Sequence, residues 1–94
     1  MILNYEQQIS LKVHNKGTPL LISSLLLRSY GAGQVDVAVI KENEIHLVEV
    51  KNRGDISYKQ IGRLKKTGHF LSKIFKKNIF LWGARKTAPY WYQF

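Results

Sequence analysis

Ninety-four residues make one domain, 1–94, and are too few for two. The composition, 45% hydrophobic and 22% charged, is that of a globular chain, and the absence of Cys removes disulfides, thiolate metal sites and Cys nucleophiles. A net charge of +9 points to a polyanionic partner.

The chain opens on a helix over 4–16. Asn4 caps it, Gln7 is the reciprocal partner of a capping box, and Ile9 and Val13 share a face. Gly17 stands where a left-handed C-terminal residue belongs. The apolar stretch 20–27 reads as a strand, with Pro19 at its start where a missing donor does least harm. It contains Ser23 and Ser24 and is far shorter than the roughly 20 residues of a membrane span. Residues 28–34, with Gly31 and Gly33, read as a connection. Two β-branched strands follow, 35–40 and 45–51, joined by a polar turn over 41–44.

Ser57 opens a second helix, with Gln60 as the partner of another capping box. Ile61, Leu64, Gly68, Leu71 and Phe75 form one face, and Lys59, Arg63, Lys66, Lys73 and Lys77 take the others. Gly62 and Gly68 weaken this helix, which predicts close packing against a sheet at both. Residues 78–83 are another strand and 90–94 a terminal edge strand. The order α-β-β-β-α-β, with that further strand, predicts an α/β fold in which helices flank a mixed sheet. A domain this small buries only about 60–65% of its unfolded surface, so a homodimer is expected. No secretory signal or membrane span is visible, and a cytoplasmic, nucleoid-associated location is expected.

The charge is unevenly placed. Residues 51–94 carry eleven Lys and Arg against Asp55 alone, a balance of +10, whereas residues 1–50 balance at −1. Arg53, Lys59, Arg63 and Lys66 follow one another out of the third strand into the second helix, placed to meet phosphates.

If the hairpin turns on Glu42 and Asn43 alone, Asp36 lies directly across from Glu49, and Lys51 points to the same face. Val35, Val37, Val39, Val48 and Val50 take the opposite face as core. Glu-Asn is not the Asn-Gly type that favours two-residue turns, and a slip of one residue would part the two acids. Two facing carboxylates repel unless something positive lies between them. Lys51 alone would make a structural cluster. A divalent cation with Lys51 beside it would make a site for phosphoryl chemistry, and Mg²⁺ suits two carboxylates completed by water and phosphate oxygens.

Asp36 followed by Glu49-Val50-Lys51 at the end of a hairpin resembles the PD-(D/E)xK nuclease signature, with Val35 in the proline position. Within that superfamily, LRSYGAGQVDVAV over 27–39, LVEVK over 47–51, QIGRL over 60–64 and NIFLWGA over 78–84 resemble archaeal-type Holliday junction resolvases. EVKNRGDISYKQ over 49–60 is also similar to VRR-type nuclease domains. The resemblance implies a restriction-endonuclease-like core and a homodimer that cuts branched DNA. It implies Asp36, Glu49 and the Val50 carbonyl as ligands of Mg²⁺, with Mn²⁺ able to substitute, and Lys51 as the catalytic lysine. Glu6 would help to complete the metal site, and Arg28 and Ser29 would lie near the scissile phosphate. The chain departs from the resolvase pattern at Ala32, where Ser is frequent, and at Gln7, where a basic residue is frequent.

Other residues have plainer readings. An acid such as Glu6 suits the first turn of any helix, and Gln60 suits a cap. His14, His46 and His69 show no metal-ligand spacing. Tyr90, Trp91, Tyr92 and Phe94 fit packing against protein better than stacking on bases. The expected function is a Mg²⁺-dependent, structure-selective endodeoxyribonuclease without a small-molecule cofactor. The alternatives are a non-catalytic basic nucleic-acid-binding protein and a nuclease without junction preference.

Overall fold

In the computed structural model the described residues are 2–20 and 35–94. The strand expected over 20–27 falls outside them beyond Leu20, as does the connection with Arg28 and Ser29. The first helix, α1, is Tyr5–His14. Both halves of its capping box are made: the Gln7 N–H donates to Asn4 Oδ1 at 2.8 Å, and the Asn4 N–H donates to Gln7 Oε1 at 3.0 Å. The helix ends at Asn15 in a right-handed conformation, so Gly17 is not the left-handed cap. Gly17 serves a close approach instead, since a Cβ there would lie 2.9 Å from the Ile40 carbonyl oxygen. Strand β1, Thr18–Pro19, begins at the next residue, and Thr18 pairs with Ile40.

Strands β2 (Val37–Lys41) and β3 (Glu44–Lys51) form the hairpin in the expected register, with Val37 opposite Val48 and Lys41 opposite Glu44. The turn takes positive φ at both central residues, 52° at Glu42 and 65° at Asn43, matching the strand twist as a type I′ turn does. Asn tolerates this conformation, but Glu42 carries a steric cost of about 1 kcal/mol. The Lys77 ammonium bonds the Asn43 side chain and braces the turn.

Helix α2, Tyr58–Phe75, is capped by Ser57 and Gln60 as expected. It connects β3 to a parallel neighbour, β4 (Asn78–Arg85), and β5 (Trp91–Gln93) closes the sheet antiparallel to β4. The sheet order is β1-β2-β3-β4-β5, an α/β arrangement with a mixed sheet and a helix on each face. Alternation sends Val37, Val39 and Val48 toward Ile9 of α1, and Ala38, Ile45 and Leu47 toward Leu64 and Leu71 of α2. Both faces are therefore core, not the valine face alone. Leu47 is fully buried, and its truncation to Ala would cost about 2–5 kcal/mol.

The two helical glycines separate. At Gly68 a Cβ would lie 3.2 Å from side-chain atoms of Ile79 and Leu81, the close packing expected. At Gly62 it would meet nothing within 4 Å among the described residues, so the expectation of sheet packing fails there. In an exposed helix interior Gly is about 1 kcal/mol worse than Ala, and at Gly62 no contact among the described residues offsets that. Thr67, fully buried between the apolar positions, donates its hydroxyl to the Arg63 carbonyl at 3.0 Å.

Candidate functional site

The site lies at the end of the hairpin remote from the turn. Asp36 directly precedes β2, so the observed register sets it beside Glu49. The row continues across the sheet, Glu49 next to Gly83 on β4 and Gly83 next to Tyr92 on β5. Gly83 has no side chain because the Tyr92 ring lies on it: a Cβ there would be 2.4 Å from the ring. Phe94 packs edge-on against Tyr92 at 5.1 Å, and the Arg85 guanidinium lies over the ring at 5.3 Å from its centroid. Glu49 thus has a carboxylate on one side and a strand roofed by an aromatic ring on the other.

This placement sets the electrostatics. Burial pushes the Glu49 carboxyl up from its usual 4.5 to about 7, with the Asp36 charge, a side-chain hydrogen bond to Asp36 and the Glu6 charge adding to the effect. Lys51 opposes the rise and does not overcome it. Asp36 is held in place by the Val50 N–H, which donates to its Oδ2 at 2.8 Å. Among the described residues the ion pairs are Glu44–His46 and Asp55–Arg85, so Lys51 makes none with either carboxylate. A structural Asp–Lys–Glu cluster would instead hold both acids low. Glu49 therefore holds its proton to about pH 7, chiefly because it is buried, and among the described residues no cation is paired with either carboxylate.

A cleft of about 430 Å³ opens on the pair, lined by Glu6, Asp36, Glu49, Val50, Lys51 and Arg53 together with Asn52 and Gln60. Six of the sequence-expected positions thus meet in one depression. Glu6 reaches it from the first turn of α1, but no group of three His, Cys, Asp or Glu among the described residues is close enough to hold a metal ion together. The donors adjoining the pair are hard oxygens, two carboxylates and the carbonyl of Val50, which suits Mg²⁺ with water in its remaining positions. Lys59, Arg63 and Lys66 are exposed on α2 outside the cleft, and Arg28 and Ser29 lie outside the described residues. Asn52 went unnoticed in the sequence, as did Gly83 with Tyr92; a lone Gly inside the 78–84 strand was the available signal.

His14 and His46 and the terminal aromatics Trp91, Tyr92 and Phe94 have structural partners. The Trp82 Nε1–H donates to His46 Nδ1 at 3.0 Å, and His46 Nε2 lies 3.3 Å from Glu44 Oε1. His14 Nδ1 lies 3.3 Å from the Ser10 hydroxyl, and His69 is exposed. Trp91 and Phe94 pack on opposite core clusters, so this strand builds the chain's own core. Among the described residues no helix is long and apolar enough to cross a membrane. Comparison with family models, curated proteins and solved structures finds no match.

Proposed function

We propose that this chain is a metal-dependent endonuclease of the PD-(D/E)xK kind that hydrolyses phosphodiester bonds in branched DNA, four-way junctions included, and acts as a homodimer. The observation that carries the reading is the pair Asp36 and Glu49, set side by side at a strand end where burial, and then the Asp36 charge, let Glu49 hold its proton to about pH 7. A pair in that condition attracts a divalent cation for the same reason it attracts a proton. Asp36, Glu49 and the Val50 carbonyl would hold Mg²⁺, with Mn²⁺ able to take its place, and Glu6 would act through a water molecule from the rim. When bound, such an ion polarises the phosphoryl group and acidifies a water molecule.

The chain's own residues supply the rest. The Val50 N–H fixes Asp36, and burial keeps the Glu49 oxygens partly dry, which strengthens charge interactions there. Lys51 carries its charge beside the pair without being tied to it, free to stabilise the negative charge that grows as water oxygen joins phosphorus and the P–O bond to the leaving oxygen breaks. Arg53 in the cleft and Lys59, Arg63 and Lys66 on α2 would contact flanking phosphates, and two-fold symmetry would pair two cuts. The test is cleavage of labelled four-way junction, flap and plain duplex with and without Mg²⁺. Junction cutting that needs the metal and vanishes in Asp36→Ala is expected. Nucleic-acid binding without cutting under any divalent metal would leave the basic binder as the function, and equal cutting of all substrates would remove the junction preference.

A further inference from the structure

The outward ridge of α2 carries Lys59, Gly62, Lys65, Lys66, His69 and Lys73, all exposed and opposite the core positions Leu64, Gly68 and Leu71. No acid occurs anywhere in the helix. Gly62, Lys65, Lys66 and His69 follow one another by three, one and three residues, which places them on one stripe, and they line a groove of about 580 Å³. At its floor Gly62 leaves the helix backbone bare. Its φ is not left-handed, so any residue would fit without strain, and among the described residues no neighbour within 4 Å requires the space. Glycine here weakens the helix and serves no packing among the described residues, whereas a ligand that must lie close to the backbone would need it.

The groove is separate from the carboxylate cleft: the two share no lining residue, and Gln60 of the cleft and Gly62 of the groove, two apart on the helix, face opposite ways. From Gly62 to His69 the axis advances about 10 Å at roughly 1.5 Å per residue. That is close to three nucleotides of one strand at about 3.4 Å each. The occupant that fits a basic, glycine-floored furrow with no acid on its helix is a polyanionic chain.

We propose that the Gly62–Lys65–Lys66–His69 groove seats a phosphodiester backbone, and that Gly62 is glycine so that this backbone can lie against the helix. The seat does not rest on the nuclease reading, and binding without divalent metal measures it separately. The experiment follows labelled junction and duplex by anisotropy across a salt series for the full chain, Gly62→Gln and Lys65→Gln, with thermal melting of each. Gly62→Gln should melt higher than wild type, because Gln is the better helix former, yet bind both DNAs about tenfold more weakly with a shallower salt slope. Lys65→Gln should weaken binding and flatten the slope by about one unit. Wild-type affinity in both variants, with cleavage intact, would overturn the seat and leave the nuclease. Weakened binding in both variants, in a protein that cuts nothing, would keep the seat and remove the nuclease. A wild type that binds no nucleic acid would overturn both.

Discussion

The two ends of the β2–β3 hairpin treat charge in opposite ways. At the turn, Lys77 braces Asn43, and Glu44 meets His46, which Trp82 holds from its other nitrogen. At the far end, Asp36 and Glu49 are pressed together, the Glu6 charge adds to the repulsion on Glu49, and among the described residues Lys51 makes no ion pair beside them. The first end gives its polar groups partners and serves the fold. The second keeps like charges close in a half-covered cleft, where no cation among the described residues is paired with them. A charged cluster is informative less for its composition than for whether the chain has neutralised it.

The strongest way to break the comparison is to empty the far end. Asp36→Ala, Glu49→Ala or Lys51→Ala should slow single-turnover cleavage by at least about 10²–10³-fold, while DNA affinity stays level or rises as repelling charge is lost. Wild-type cutting by Lys51→Ala would dissolve the distinction between the two ends.

A second effect is thermodynamic. Glu49 titrates at about 7 in the fold against an ordinary 4.5, so the folded protein binds the extra proton between those values. Stability of the metal-free protein should be greatest below pH 4.5 as far as this group is concerned, fall as pH rises, and reach its lower level above 7. Solvent screening at this partly open site reduces the loss to about 1–2 kcal/mol. Melting curves from pH 4 to 9 should therefore flatten in Glu49→Gln. Mg²⁺ or Mn²⁺ at pH 8 should raise the wild-type Tm and leave that of Glu49→Gln nearly unchanged. A Glu49→Gln profile as steep as wild type would show that the pair stores no repulsion.

The smallest effect belongs to the turn. Glu42→Asn puts a residue that tolerates positive φ at the first turn position, and should add about 0.5–1 kcal/mol in denaturant melts with cleavage unaltered. A change in cutting from this substitution would mean that the two ends are coupled.

What the sequence disclosed was local chemistry and periodicity. Asn4 with Gln7, and Ser57 with Gln60, announced both helix starts, because a capping box is written within four residues. The meeting of Asp36 with Glu49 followed from period-two alternation once the turn was placed. What stayed hidden depended on partners far along the chain. Gly17 looked like a helix cap until β1 was found pressing it against Ile40, and Gly62 and Gly68 looked alike until only one proved to touch the sheet. The two-residue turn on Glu42 and Asn43 formed as the register required, although Glu is a poor residue for positive φ, because strand pairing overrode its own preference. Thr67 was passed over as polar, though its hydroxyl turns back to its own helix and leaves the methyl for the core.

The Tyr92 ring occupies the volume that a methyl group at position 83 would claim. The two positions hold one allotment of space, so growth at one demands shrinkage at the other. Among relatives they should covary, glycine with a large ring or a larger residue with a small one, and never bulk at both. The order of change matters as well. Enlarging position 83 first evicts the ring and loosens β5, while shrinking position 92 first keeps the sheet and leaves position 83 uncovered. A lineage can cross only by the second route, through an intermediate with an open notch on β4 next to Glu49.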